Sequence, residues 1–323
     1  MRTFRNCLMP LLLLLLAQCG SRPATDASTR RPLRIGIDLW AGYYPLVLAE
    51  ELGYLREGNV NVEISIPKNT SRMLAQFAAR DYDAVCVSCA DVITVTRAVP
   101  DLRIALLSDE SSGGDQVLSR TLITNAADLR GKRIATNFGG FGELLVQRFL
   151  AKHGVSVAEV TLVNTEASDI PKRLAAGDID LGHTWEPYAT EAQQLGMHKV
   201  FCSSETPGLI LDGLVFDGEV ARQREPEVQA VVKAWFRALD WWHAHPSEGD
   251  LRLEKRLKLA PGQARPSGIR LLDLADNKTL MRSTDAVAPL QSCLQNYIDF
   301  FAARGLLLKR PDPRTMFGIT ILQ

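Results

Sequence analysis

The sequence predicts an α/β protein built from two similar lobes. Short apolar strands alternate with amphipathic helices along most of the chain, which is typical of parallel sheets covered by helices on both faces. The segments AARDYDAVCVSCADVITV (78–95) and AAGDIDLGHTWEPYATEA (175–192) share one pattern of helix end, acidic-x-Asp pair, apolar strand and helix-opening loop. With 323 residues, 46% of them hydrophobic, the chain is long enough for two domains of ordinary size.

The N-terminal residues predict a cleaved export signal. A basic start, a leucine run and a small-residue exit indicate a signal peptide over residues 1–18, and the run is too short for a permanent membrane helix. The segment LAQC (16–19) resembles a bacterial lipobox, which implies a lipid on Cys19 and a membrane anchor. Gln18 departs from the usual small residue, so cleavage without lipidation stays an alternative. Residues 19–32, poor in large apolar side chains, predict a tether.

Charge and cysteine content restrict the partners. Lys+Arg 37 and Asp+Glu 37 give zero formal net charge, so nothing indicates nucleic acid binding. The Cys86-x-x-Cys89 spacing permits a redox pair in an oxidising compartment. It lacks the second CxxC or nearby histidine of a zinc site, and two packed small side chains are the preferred interpretation. No cofactor and no metal are predicted.

The first copy of the repeated unit begins at Arg34. Alternating apolar residues predict a strand in RIGIDLW, and apolar residues at helical spacing predict a helix in AGYYPLVLAEELGYL. The next elements are strand VEISIP, helix SRMLAQFAARD, strand DAVCV, helix ADVITVTRAV and strand LRIALLS.

The second copy begins at Arg133 and repeats this order. Its elements are strand RIATN, helix FGELLVQRFLAKHG, strand VTLVN, helix DIPKRLAAGD, strand DLGHT, helix EPYATEAQQLG and strand KVFCS. Asp83 lies 49 residues after Arg34, and Asp180 lies 47 residues after Arg133. One β-α-β-α-β unit therefore fits both copies.

The chain also predicts two crossings between the lobes and a helical C-terminal part. Short strands in GGDQVLSR and LDGLVFDGE are expected to form a hinge, which divides the chain into lobe 1 (33–115 and 213–323) and lobe 2 (116–212). An apolar stripe after Glu219 predicts a long helix. Its residues are Val228, Val231, Val232, Trp235, Leu239 and Trp242. Trp235, Trp241 and Trp242 are expected in the core.

Several segments in this order resemble the periplasmic substrate-binding proteins of the nitrate/sulfonate/taurine and thiamine-precursor type, the NMT1/THI5-like family. They are RIGIDLWAGYYPLVLAEELGYL, FAARDYDAV, DLRGKRIAT, AAGDIDLGHTWEPY, LDGLVFD and AWFRALDWWHAHP. The resemblance implies a type II binding-protein fold with two α/β lobes, two crossing strands and C-terminal helices. It also implies a monomer on the periplasmic side of the envelope, which delivers a small solute to an ABC permease and its ATPase.

Two other functions stay open at this level. A sensory protein that presents its closed form to a membrane receptor would use the same cleft, and the thiamine-precursor branch includes a synthase. No enzyme is predicted, because the chain has no G-x-S-x-G or H-E-x-x-H motif and no obvious nucleophile beside a histidine. His183 is expected to be a hydrogen-bonded histidine of the cleft or the core.

The candidate ligand residues lie in the loops that leave the strands, because ligands in such sheets sit beyond the carboxyl strand ends. A flat or cationic group is expected between the aromatic residues. The glycines of TNFGGFGE either admit an anionic group to a helix N-terminus or serve a tight turn. The candidates are Trp40, Tyr43, Tyr44, Asn69, Thr70, Ser88, Asp115, Asn137, Gly139, Gly140, Phe141, Thr184, Trp185, Glu186 and Asp212.

The acidic candidates bear on the charge of the ligand. If Asp115, Glu186 and Asp212 line the cleft, a simple inorganic anion is disfavoured, because only Lys68 among the loop residues opposes them. The expected solute then has a polar or anionic end and a cationic or aromatic part, as in an aminosulfonate or a pyrimidine-like amine. Helix capping and hinge geometry are the alternative roles of these carboxylates.

Overall fold

A computed structural model describes residues 30–265, 267–282 and 288–317. The predicted signal peptide, Cys19 and most of the predicted tether lie outside the described residues. The end of that tether is held against the first lobe. Arg31 donates to both carboxylate oxygens of Asp83 at 2.6 and 2.9 Å, and Arg30 donates to Glu227 at 3.0 Å.

Two separate sheets form the two lobes. The strands of the first sheet are β1 (Leu33–Gly36), β2 (Val62–Ser65), β3 (Ala84–Ser88), β4 (Leu102–Ser111), β10 (Leu211–Asp217) and β11 (Ile269–Leu271). Those of the second are β5 (Asp115–Ser119), β6 (Arg133–Thr136), β7 (Thr161–Asn164), β8 (Leu181–Trp185) and β9 (His198–Cys202). Their orders are β11-β4-β10-β3-β1-β2 and β7-β6-β8-β5-β9.

The two sheets share one topology. In each, the first strand of the copy pairs in parallel with the second and the third. A strand that enters from the other lobe, β10 in the first sheet and β5 in the second, then runs antiparallel between the third and fourth strands. This arrangement confirms the predicted α/β fold with two lobes and two crossing strands.

Helices cover both sheets. They are α1 (Tyr44–Glu51), α2 (Tyr54–Glu57), α3 (Thr70–Ala78), α4 (Cys89–Val95), α5 (Phe141–Lys152), α6 (Ile170–Ala176), α7 (Tyr188–Gln194), α8 (Gly218–Gln223), α9 (Glu225–Ala244), α10 (Pro246–Leu257), α11 (Leu274–Met281) and α12 (Pro289–Ala303). The predicted apolar stripe of α9 is buried, including Trp235 and Trp242. Trp241 lies at the edge of the core, where its ring stacks on His245 at 4.9 Å.

The crossings between the lobes are short and joined to each other. Residues 112–114 connect β4 to β5, and residues 203–210 connect β9 to β10. The hydroxyls of Ser111 and Ser203 lie 2.8 Å apart, and the amide of Gly113 donates to the Ser203 hydroxyl at 2.7 Å. Any rotation of one lobe relative to the other must therefore bend the chain at these two hydrogen-bonded connections.

The four described cysteines are free thiols, and Cys86 and Cys89 are buried. Cys86 lies on β3 and Cys89 begins α4. The structure agrees with two packed small side chains at this spacing.

An arginine–aspartate pair recurs at equivalent places in both lobes. The Arg34 amide donates to Asp83 at 2.9 Å and its guanidinium to the Arg80 carbonyl at 2.8 Å. In lobe 2 the Arg133 amide donates to Asp180 at 2.9 Å, and its guanidinium reaches the Gly177 carbonyl at 2.8 Å. The pair joins the first strand of each copy to the turn before the third. This shared pair explains the near-equal sequence intervals.

The Asp83→Asn variant should lose about 2 kcal/mol of unfolding free energy, because the buried carboxylate accepts bonds from two arginines. Asp180 is the matched position, but its side chain is 26% exposed and has one arginine partner. Asp180→Asn should therefore cost about 1 kcal/mol or less. Urea unfolding at neutral pH measures both values, and equal losses would contradict the assignment of the larger effect to burial.

Candidate functional site

A cavity lies between the lobes, at the carboxyl ends of the parallel strands. Its volume is about 250 Å³, which is enough for a small solute. Lobe 1 contributes the loop after β1 and the N-terminal parts of α3 and α4. Lobe 2 contributes the loop before α5 and the end of β8, and residues of β5 and β10 also line the cavity. The strand-end loops of both lobes thus meet at one site, as the topology predicts.

Aromatic side chains from both lobes face this space. Tyr43 and Trp40 line it from lobe 1, and Phe141 and Trp185 line it from lobe 2. The Phe141 and Trp185 ring centroids are 5.6 Å apart. Trp40 is 4% exposed, and its indole N–H donates to Asp109 at 2.9 Å. This bond fixes the Trp40 ring at the wall, whereas Trp185 is only partly buried.

Four aspartates line the cavity, and most have partners inside the protein. Their residues are Asp38, Asp91, Asp115 and Asp212. Asp38 accepts from the Thr70 hydroxyl at 2.6 Å and from the Leu39 amide at 2.7 Å. Asp91 accepts from the Ser88 hydroxyl at 2.6 Å, and Asp115 lies 3.2 Å from Nε2 of His183.

Asp212 has an oxygen without a partner. Its Oδ2 accepts from the Tyr43 hydroxyl at 2.5 Å. Its Oδ1 is buried and has no hydrogen-bond partner among the described residues. Asp212 is only 5% exposed and lines the cavity. A buried oxygen of this kind is costly unless a partner arrives from outside the chain.

Burial raises the pKa of several of these carboxylates. Burial raises the pKa of Asp91 to about 6 against the hydrogen bonds from Ser88, and Asp38 and Glu166 add to the rise. Burial also raises the pKa of Asp38, although the bonds from Thr70 and Leu39 oppose the change. For Asp212, burial and the neighbouring Asp109 raise the pKa well above its ordinary value. The cavity thus disfavours further negative charge.

The ligand-free protein should lose stability between pH 5 and pH 7.5. Asp91 has a folded pKa of about 6, and behind Trp40 burial raises the pKa of Asp109 to about 7. Groups with raised folded pKa values stabilise the fold at low pH, and this contribution is lost as the pH rises through those values. A loss of about 4 kcal/mol is expected in urea unfolding, from about one pH unit of titration for Asp91 and two for Asp109. Asp91→Asn should flatten the profile, and stability that rises over this range would contradict the prediction.

The glycine-rich loop TNFGGFGE differs from the expectation of an open anion site. The Gly139 amide donates to the carboxylate of Glu143, 3.2 Å away in the first turn of α5. Arg304 in turn donates to Glu143 at 2.5 Å. The protein's own carboxylate therefore occupies part of the loop's donor capacity. Gly140 and Phe141 still face the cavity.

The two lobes touch across the mouth of the cavity. The Ser71 hydroxyl of lobe 1 donates to Glu166 of lobe 2 at 2.6 Å, and Asn137 donates to the other Glu166 oxygen at 3.1 Å. The Thr94 hydroxyl donates to the Gly139 carbonyl at 2.7 Å. The bonds from Ser71 and Thr94 join the two lobes, whereas the Asn137–Glu166 bond lies within lobe 2 and holds Glu166 in place for its contact with Ser71.

The structure brings most of the sequence-predicted candidates to the cavity. Those that line it are Trp40, Tyr43, Thr70, Ser88, Asp115, Asn137, Gly139, Gly140, Phe141, Trp185 and Asp212. His183 also lines it, buried between Asp115 and Thr136.

Four candidates lie outside the lining. Tyr44 begins α1 and points into the core at 2% exposure. Asn69 caps α3 by accepting from the Arg72 amide. Thr184 donates to the Ala167 carbonyl, because neighbouring strand residues face opposite sides. Glu186 is buried, where it accepts from Gln116 and from the Thr190 amide in α7. Glu186 thus takes the capping role that was the alternative to ligand contact.

Sequence reasoning missed other lining residues. Asp38 follows β1 directly, so the rule about strand-end loops could have identified it. Asp91 follows Ser88 by three residues, a spacing that signals a helix cap and gives no sign of a cavity. Met73 and Leu74 on α3 and Phe138 before α5 add apolar surface to the lining. They carry no signal beyond hydrophobicity.

Within residues 30–265, 267–282 and 288–317, no group of three or more His, Cys, Asp or Glu side chains is placed to hold a metal ion. No helix of the same residues is long and apolar enough to cross a membrane.

The type II periplasmic-binding-protein fold is defined by two lobes of the same topology, two strands that cross between them and a cavity at their interface. A sequence profile of the NMT1/THI5-like family matches residues 40–249. The chain belongs to this family.

Curated relatives share about a quarter of their residues with the matched part. A Haemophilus influenzae protein with a provisional name in thiamine biosynthesis is 25% identical over 210 residues, 63% of this chain and 66% of the relative. The taurine-binding periplasmic protein of Escherichia coli is 26% identical over 180 residues, 54% and 55% of the two chains. The chain thus spans less than two thirds of the length of either relative.

Solved structures show the same fold. The alkanesulfonate-binding protein SsuA from Xanthomonas axonopodis pv. citri, bound to MOPS, aligns with a TM-score of 0.71 at 20% identity and covers 90% of this chain and 98% of its own. The desulfurization enzyme DSZB aligns with a TM-score of 0.65 at 18% identity over 91% and 98% of the chains. The fold therefore serves both binding proteins and an enzyme.

Proposed function

We propose that this protein is the solute-binding component of an ABC importer on the periplasmic side of the cell envelope. It captures a small organic solute between its lobes by hinge closure and presents it to a permease and its ATPase. The observation that carries the proposal is the cavity enclosed by strand-end loops of both lobes. The family and the taurine-binding relative support it. The expected solute is sulfonate-, taurine- or pyrimidine-like.

The closed state is stabilised by contacts that involve both lobes at once. A solute that touches both lobes shifts the equilibrium toward the closed state by its difference in affinity for the two states. Bonds such as Ser71 to Glu166 add to that difference. The bonded crossings at Ser111 and Ser203 are the proposed hinge. The chain acts as a monomer, held to the membrane by a lipid on Cys19 in this proposal.

A binding role fits the cavity better than a catalytic one. The lining thiol of Cys86 is buried beside Asp212 and Asp109, which raises its pKa well above the ordinary value. It therefore stays a thiol, which is a weak nucleophile. The Ser88 hydroxyl donates to Asp91 and lacks the histidine base that activates a nucleophilic serine.

Mass spectrometry of the natively purified mature protein tests the proposal. One small solute is expected at near one equivalent per chain, released on unfolding and recovered unchanged after incubation with fresh protein. Added back, it should raise the melting temperature and compact the protein in small-angle scattering. A solute that is chemically altered during incubation would favour an enzyme. Purified protein without any solute, which no metabolite mixture stabilises, would contradict capture.

A further inference from the structure

The charges around the cavity narrow the class of solute; this inference rests on the proposed function. Four aspartates line the cavity, one after β1, one in α4 and one on each crossing strand, whereas no lysine or arginine of the described residues lines it. Asp109 lies directly behind Trp40 and adds a fifth carboxylate to the wall. The site is therefore built with an excess of acidic groups from both lobes.

Internal partners satisfy this excess only in part. Asp38 and Asp91 bond to neighbouring hydroxyls, and Asp115 lies beside His183. Oδ1 of Asp212 is buried and has no partner among the described residues. The whole Asp212 residue is only 5% exposed. Because Asp212 lines the cavity, a bound solute is the partner that this carboxylate can still gain.

The rest of the wall suits a flat or apolar body. The rings of Phe141 and Trp185 lie 5.6 Å apart on one side, and Tyr43 with Trp40 lies on the other. Aromatic faces attract cations as well as flat apolar groups. The aromatic walls and the acidic groups thus both favour a molecule that combines a flat apolar body with a positive charge.

We propose that the solute carries a cationic nitrogen, a protonated amine or amidinium on a flat apolar body, whose N–H donates to the Asp212 carboxylate. The aromatic rings hold the body, and Asp91, Asp115 and Asp38 complement the positive charge. A sulfonate or carboxylate without a cationic nitrogen would place negative charge against these carboxylates. Among the solute classes proposed above, the site therefore favours a pyrimidine-like amine over a sulfonate without a cationic nitrogen.

Three probes of one shape test the charge requirement: benzylamine, benzyl alcohol and benzoate. Protein freed of co-purified solute by unfolding and refolding is titrated with each in a calorimeter and a melting assay at pH 7.5. Benzylamine should bind at least 10-fold more tightly than benzyl alcohol, and benzoate should not stabilise the protein. Equal or tighter binding of benzyl alcohol or benzoate, or no stabilisation by benzylamine, would overturn the inference.

Two variants test whether Asp212 is the residue that causes the preference for benzylamine over benzyl alcohol. Asp212→Asn keeps the shape of the side chain and should reduce the preference for benzylamine over benzyl alcohol at least 10-fold. Glu186→Gln alters another buried carboxylate outside the lining and should leave that preference unchanged. An unchanged preference in Asp212→Asn would also overturn the inference. A co-purified solute without a cationic nitrogen would remove the inference and leave the importer proposal intact, whereas a protein without solute would remove both.

Discussion

Replacing Gly142 by alanine should destabilise the protein by about 3 kcal/mol. A Cβ at this position would lie 2.3 Å from Nδ1 of His183 and 2.5 Å from the Thr136 hydroxyl. Neither neighbour can move easily, because His183 is 1% exposed and lies against Asp115. The added methyl must therefore displace the imidazole or push the start of α5 away from β8. Urea unfolding at pH 7.5 measures the loss.

The same loop offers its own controls. A Cβ on Gly140 would have no neighbour nearer than 3.9 Å, and the φ angle of Gly140 is −111°. Gly140→Ala should therefore change the unfolding free energy by less than about 0.5 kcal/mol. Gly139 has open space around it but a φ angle of +79°, so alanine there should cost about 1 kcal/mol. Similar losses at all three positions would show that the loop needs flexibility and that close contact with His183 is not the cause.

The duplicated architecture could be predicted because each copy repeats a local pattern with a physical cause. Arg34 of β1 bonds to Asp83, and the equivalent bond joins Arg133 of β6 to Asp180. Such a contact fixes the sequence interval in both copies. The crossing strands were harder to place from pattern alone, since each pairs antiparallel inside the sheet of the other lobe.

The site was predictable to the level of loops but less so for single residues. Tyr43 and Tyr44 are adjacent, yet the backbone turn sends one to the cavity and the other to the core. On β8 the alternation of side chains separates Trp185 from Thr184 in the same way. A one-residue difference in register decides the outcome, and the sequence does not specify the register to that precision.

Carboxylates at helix starts were the other difficulty. Glu186 and Asp91 both precede or open a helix, where a carboxylate is stabilised whether or not it meets a ligand. In the structure Glu186 bonds to Gln116 and a helix amide, whereas Asp91 lines the cavity beside Ser88. Only the packing of the two lobes distinguishes these positions. Local sequence therefore favoured Glu186, and the three-dimensional arrangement favours Asp91.

The Trp185→Ala variant should bind the co-purified solute about 30-fold more weakly, equivalent to about 2 kcal/mol. Its ring forms one face of the cavity with Phe141. Because Trp185 is only partly buried, truncation should cost little unfolding free energy, about 1 kcal/mol. Isothermal titration with the identified solute and urea unfolding of the empty protein separate the two effects.

Trp241 provides the matched control for this prediction. It is also partly buried, but its ring stacks on His245 at the far end of α9 and does not line the cavity. Trp241→Ala should therefore leave solute affinity within about 2-fold of the native value, while its cost in stability resembles that of Trp185→Ala.

If both variants bind equally well and Trp185→Ala alone melts early, Trp185 stabilises lobe 2 and the solute lies nearer Trp40 and Tyr43. Trp40 is held in place by Asp109. Lobe 1 would then supply the aromatic contact to the solute, and Trp185 of lobe 2 would not contribute to it. In that case closure would depend on the polar bonds at the mouth, such as Ser71 to Glu166.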